Sequence, residues 1–151
     1  MTKQDYLLRQ IEMLGELLQA IRRMILGGEV DPSEIRARLR EVSGKGGMEL
    51  ELAQAATLDT LRLLIAPTGE IEPGRCWLLA ETLYLDGQQA VSEEDEARAI
   101  DSLLKARMLF SLLAPMGAFL VGFPEASERI GEIEEMLASR GVLEDTEEGA
   151  F

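Results

Sequence analysis

The chain has 151 residues, 15 basic against 28 acidic side chains, a net charge of −13 and no histidine. That length suits one domain, which buries roughly two-thirds of its unfolded surface. The acidic balance repels the nucleic-acid backbone, whose attraction for Lys and Arg supplies most non-specific affinity, so a nucleic-acid partner is excluded. Without histidine the Ser-His and Cys-His nucleophile pairs and the Glu-x-x-His di-iron motif are absent as well.

Apolar residues make up 46% and aromatic ones only 5%. Ala, Leu, Met, Ile, Glu and Arg dominate while Val, Thr and Tyr are scarce, which favours helix over strand. The charge is unevenly placed: residues 1–47 hold eight basic and seven acidic groups, and the remainder holds seven and twenty-one. Cys76 stands alone and forms no internal disulfide. No leader-like start is visible, and the apolar run "MGAFLVGF" (116–123) is far too short to span a bilayer. The expectation is a soluble cytoplasmic protein with no membrane partner.

In chain order, Lys3 to Leu26 reads as one long helix, capped by Thr2 with Asp5 three residues on and ended by Gly27-Gly28. Leu7, Ile11, Leu14, Leu18, Ile21 and Ile25 recur in steps of 4 and 3, the seam of a coiled-coil-like contact. Leu8, Leu17 and Met24 widen its apolar arc. The seam is read both as core and as the face of a homodimer.

"DPSE" (31–34) starts a second helix, with Asp31 as cap, Pro32 at the first helical position and Glu34 reaching back. Ile35, Leu39 and Val42 line its inner face. "SGKGG" (43–47) reads as a linker, since "GKGG" lacks the spacing and the preceding strand of a phosphate loop. Two short helices follow between 48 and 66, Thr57 capping the second. Together these short helices occupy 32–66.

A hairpin is expected over 73–113: one helix from Pro73 to about Ala90, then Ser92 as the cap of a helix over 93–113. The second helix carries Ala99, Leu103, Ala106, Phe110 and Leu113 on one side, and Ala97, Ile100, Leu104, Met108 and Leu112 on the other. A last helix is placed at 124–140, with Ile130, Ile133 and Leu137 as its stripe. Residues 1–141 form one helical domain in this reading, and 142–151 an acidic flexible tail. The fold class is all-α, a bundle of six or seven helices.

The hairpin residues Trp77, Ala80, Tyr84 and Gly87, followed by Ala99, Leu103 and Ala106, resemble a tetratricopeptide hairpin: a large residue opens the first helix and an Ala-x3-bulky-x2-Ala row packs into it. The link between them is longer than in the standard repeat, Pro115 comes late, and a single unit stands where stacks need about three. The opening "QDYLLRQIEMLGELL", ahead of such a hairpin, is similar to an uncharacterised bacterial all-helical family. That resemblance implies an all-helical fold and brings no activity with it.

Chemistry is sparse. Cys76, one residue before Trp77, reads as an inert core thiol. Glu93 to Glu96 form a solvated helix start, and Glu128, Glu132 and Glu135 share a surface face without a second acidic face to complete a metal site. Glu81 is the acid to watch, because burial would demand a partner such as Arg107 or Arg62. Arg36, Arg38 and Arg40, with Arg22 and Arg23, either form a basic patch or are neutralised by Glu29, Glu34, Glu41 and the acidic helices. The reading is a non-catalytic interaction or scaffold protein, homodimeric, offering a groove to a protein partner, with no cofactor, metal or catalytic residue. The alternative is an enzyme that binds a small molecule or divalent metal through carboxylates alone. Converging inward acids would mark the enzyme, and an apolar or arginine-edged groove the scaffold.

Overall fold

The computed structural model describes residues 2–117, Leu120 and 122–142. Among them the chain forms seven α-helices, one 3-10 turn and no strand. Helix α1 spans Lys3–Gly27. The Thr2 hydroxyl accepts from the Asp5 amide at 3.1 Å while the Asp5 carboxylate takes the Thr2 amide at 3.4 Å, so two of the helix's orphan donors are satisfied reciprocally. Gly28 ends it at φ 70°, a left-handed conformation that costs glycine nothing.

Helix α2 covers Pro32–Lys45. The Asp31 carboxylate accepts from the Ser33 amide and hydroxyl, and these bonds hold its pKa below the usual carboxylate value. Glu34 does not reach back to the cap; it pairs with Arg38 at 3.1 Å. The expected linker at 43–47 is shorter than its glycines suggested. Ser43 to Lys45 continue the helix, Ser43 is buried, and its hydroxyl donates to the Met48 carbonyl at 2.5 Å. That bond closes the turn that two glycines alone would leave loose. Helices α3 (Leu50–Ala55) and α4 (Leu58–Ile65) follow, Thr57 capping α4 through the Thr60 amide.

Helix α5 (Pro73–Ser92) is the axis of the molecule. All but a few of its residues are buried, because α1, α2 and α6 pack around it. A helix apolar on several sides belongs at the centre of a bundle. Helix α6 (Glu96–Leu113) runs back along it, and α7 (Ala126–Ala138) packs on α6. The cap of α6 differs from the expected Ser92. Helix α5 runs on through Ser92, Glu94 adopts φ 60°, and the Asp95 carboxylate accepts from the Arg98 amide at 3.2 Å. Ser92 and Asp95 are both good caps; the left-handed Glu94 selects the later one, so the long link of the sequence reading becomes extra helix.

The α1 seam is turned inward. Ile11, Leu14, Leu18, Ile21 and Ile25 are buried in the same core as Leu39, Leu61, Leu83, Leu103 and Ile133, and Leu7 packs on its edge. Full burial of a residue of this size stabilises the fold by about 1.5–3 kcal/mol, so this seam is committed to its own chain. The stripe of α7 also differs by one position: Ala126, Arg129, Ile133 and Leu137 are buried, with Ile130 at the margin. Val142, assigned to the tail from sequence, packs against the core; residues 143–151 of that tail lie outside the described residues.

Candidate functional site

The α5–α6 hairpin is antiparallel and close-packed. A Cβ added to Gly87 would lie 2.8 Å from Leu103 Cγ, so the missing side chain is what lets the helices meet there. Trp77 meets Phe110 edge-on at 5.8 Å between ring centroids and Phe123 at 4.7 Å. Ala80, Ala99 and Ala106 are fully buried. Cys76 is buried beside the Leu109 carbonyl, and burial pushes its thiol up to about 12, with the Glu72 charge adding to the shift.

Charged groups are buried with the apolar ones. Glu81, on α5, has no exposed surface, and its partner is Arg129 of α7 rather than Arg107 or Arg62. Arg129 Nε donates to one Glu81 oxygen at 2.8 Å and Nη2 to the other at 2.7 Å. Its Nη1 donates to Glu132 at 2.8 Å, and its guanidinium lies 4.5 Å above the Tyr84 ring. Tyr84 donates to Glu132 at 2.6 Å and accepts from Gln88 at 3.0 Å. Burial pushes the Glu81 carboxyl above its ordinary range against the pull of Arg129, and burial with the Glu132 hydrogen bond raises the Tyr84 phenol.

A second polar group ties α5 to α6 and α3. Asp86, fully buried, accepts from Ser102 at 2.7 Å, Gln54 at 3.1 Å and Arg98 at 3.3 Å. Lys105, nearly as buried, donates to the Gln54 carbonyl and to Asp101. Neither Asp86 nor Lys105 stood out in the sequence, since both occupy positions of the hairpin where only burial distinguishes them. Arg129 does carry a signal: it shares the 126, 133, 137 spacing of the α7 stripe, one residue before Ile130.

The structure separates the remaining predicted residues. Arg36 pairs with Glu93 at 3.0 Å, Arg38 with Glu34, and Arg40 with Glu51, so the patch drawn through these three is neutralised within the chain. Glu93 also pairs with Arg98, and Glu96 with Arg140, which disperses the acidic run at the start of α6. Among the described residues no three acids or thiols converge as a metal ion would require. No described helix is long and apolar enough to cross a membrane.

A recess of about 300 Å³ opens where the end of α2, the end of α4 and the start of α5 meet. Leu78 and Leu79 of α5, Met48, Leu64 and Ile65 make its apolar walls, and Glu70, Glu72 and Arg75 stand at its edge. Leu63, on the same turn of α4, is 72% exposed. Glu81 lines none of the recesses seen among the described residues. Comparisons with protein-family models, with curated proteins and with solved structures return no match.

Proposed function

We propose that this chain is a non-catalytic helical interaction protein whose groove between α2, α4 and α5 receives apolar side chains of a protein partner. The carrying observation is that groove itself: an apolar recess with a charged edge, flanked by the exposed Leu63. A fully desolvated pocket ringed by polar groups is where an interface concentrates its energy. The carboxylate-enzyme reading has less support, because Glu81 has both oxygens engaged by Arg129 and faces no recess.

Self-association through α1 belongs to the same reading. With the seam committed to the core, the outer face still carries Tyr6 (63% exposed), Met13 (59%) and Leu17 (39%) at helical spacing. A cytoplasmic location suits a chain whose one cysteine is unpaired. The likeness of the hairpin to tetratricopeptide units, and of the whole chain to the bacterial helical family, stands as part of this proposal.

Capture from native extract with the wild-type chain and with Leu64→Glu tests the groove. Loss of a specific partner from the folded variant is the expected result, and equal capture by both overturns the groove. Light scattering tests the dimer: the expected mass is twice 16.7 kDa, reduced to one chain by Met13→Glu. A wild-type monomer at micromolar concentration overturns self-association.

A further inference from the structure

A second recess, about 280 Å³, lies on the opposite side of α1 from α2, where the end of that helix meets the segment leading into α7. Gln19, Arg22 and Arg23 line it from α1, Phe123 and Pro124 from the connecting segment, and Arg129 from α7. No acid lines it, in a chain of net charge −13. Arg22 and Arg23 form no ion pair among the described residues; Arg9, Arg62 and Arg75 are likewise without one, but Arg22 and Arg23 alone of these five line this recess.

Arg22 holds the informative atom. Its Nε is sealed from solvent and has no hydrogen-bond partner among the described residues. A buried donor on a charged group that lacks an acceptor is costly, so the Arg22 side chain gains if it turns to bring its donors to an oxyanion in the notch. The Gln19 amide donates to the Gly122 carbonyl at 2.8 Å and braces this wall.

We propose that this notch binds a small organic acid, its carboxylate gripped by Arg22 and Arg23 and its apolar part resting on Phe123 and Pro124. The apolar Phe123 and Pro124 beside the arginines favour an organic carboxylate over a phosphate dianion, which has no apolar part. Arg129 is already met by Glu81 and Glu132, which leaves Arg22 and Arg23 for the ligand. The guanidinium fork matches a carboxylate through two parallel hydrogen bonds. The volume lies near the lower end for ligand sites, which fits a compact acid. This site is independent of the α2–α4–α5 groove and of self-association.

The test uses the intact chain with acetate, butanoate, phenylacetate and inorganic phosphate at millimolar concentration. Trp77, the sole tryptophan, touches Phe123 and reports occupancy by fluorescence, while calorimetry gives the affinity. Saturable one-to-one binding, tighter for butanoate or phenylacetate than for acetate or phosphate, is expected. Arg22→Gln should weaken it by about tenfold or more, as loss of a charged hydrogen bond does. Arg23→Gln, at an exposed position, should weaken it too, and Arg36→Gln should leave it unchanged. Absence of saturable binding by all three carboxylates overturns the site. So does binding that survives both Arg22→Gln and Arg23→Gln, and phosphate binding tighter than any carboxylate overturns the assignment of the ligand.

Discussion

Arg129 and Glu81, 48 residues apart, meet through two parallel hydrogen bonds at 2.8 and 2.7 Å, and both side chains are almost wholly buried. The pair fastens α7 to α5 across the core. Such a pair adds little over apolar packing, yet removing one member strands a charge, at about 3–5 kcal/mol. Arg129→Met, which strands Glu81, should lower stability in that range by urea denaturation, and Glu81→Leu by less because Arg129 keeps Glu132, whereas the two together should lose far less than the sum. Additive losses would show that the two groups do not act as a pair.

The same pair sets a pH dependence. Glu81 has its folded pKa raised above the ordinary 4.5 by burial, with Arg129 opposing. Between the ordinary and folded values the folded chain keeps a proton that the unfolded chain has released. The contribution of Glu81 is therefore most favourable below about pH 4.5 and is lost as pH rises through the folded value. In Arg129→Met the opposing charge is gone, so the variant should regain stability relative to the parent on acidification from neutral pH. A difference between variant and parent that stays constant with pH would refute this.

Two helical glycines should respond oppositely to alanine. At Gly87 the new methyl group would meet Leu103 Cγ and Cδ2 at 2.8 Å, and neither the branch point nor the backbone behind it can withdraw cheaply. Gly87→Ala should cost about 1–3 kcal/mol by overpacking. At Gly131, on the exposed side of α7, nothing lies within 4 Å, so Gly131→Ala should gain up to about 1 kcal/mol in helix propensity. Thermal melts of the two variants decide the matter.

Cys76 should be unreactive in the folded protein. Its thiol is buried and its pKa is pushed up to about 12, so almost no thiolate exists at pH 8.5 and none of it faces solvent. A disulfide reagent should modify it only after denaturant is added. Rapid modification of the native chain would mean that the α5–α6 contact opens.

Reversing Arg36 and Arg40 to glutamate should act on stability alone. Both pair with acids outside α2, Glu93 just past the end of α5 and Glu51 of α3, at partly exposed positions. Exposed pairs contribute about 0.2–1 kcal/mol each, so a small drop in Tm is expected. Capture of a partner by the groove should be unchanged; a slower association would restore the idea of a working basic patch.

Helix content, most helix starts and the inward stripes of α1, α2 and α6 follow from local rules. Periodicity records which face a helix hides, and Thr2, Asp31 and Thr57 record where backbone donors need a side chain. Tertiary structure decided what those rules leave degenerate. Ser92 and Asp95 are equally good caps until Glu94 turns left-handed. The α1 seam serves a core and a dimer equally well until α5 and its neighbours cover it. Glu81 gained Arg129 as its partner, and Arg22 has no ion-pair partner among the described residues, because which charges meet depends on distances between helices far apart in the chain. A one-dimensional pattern encodes burial through its period, but it holds no record of the distance between elements, and electrostatic pairing is a function of distance.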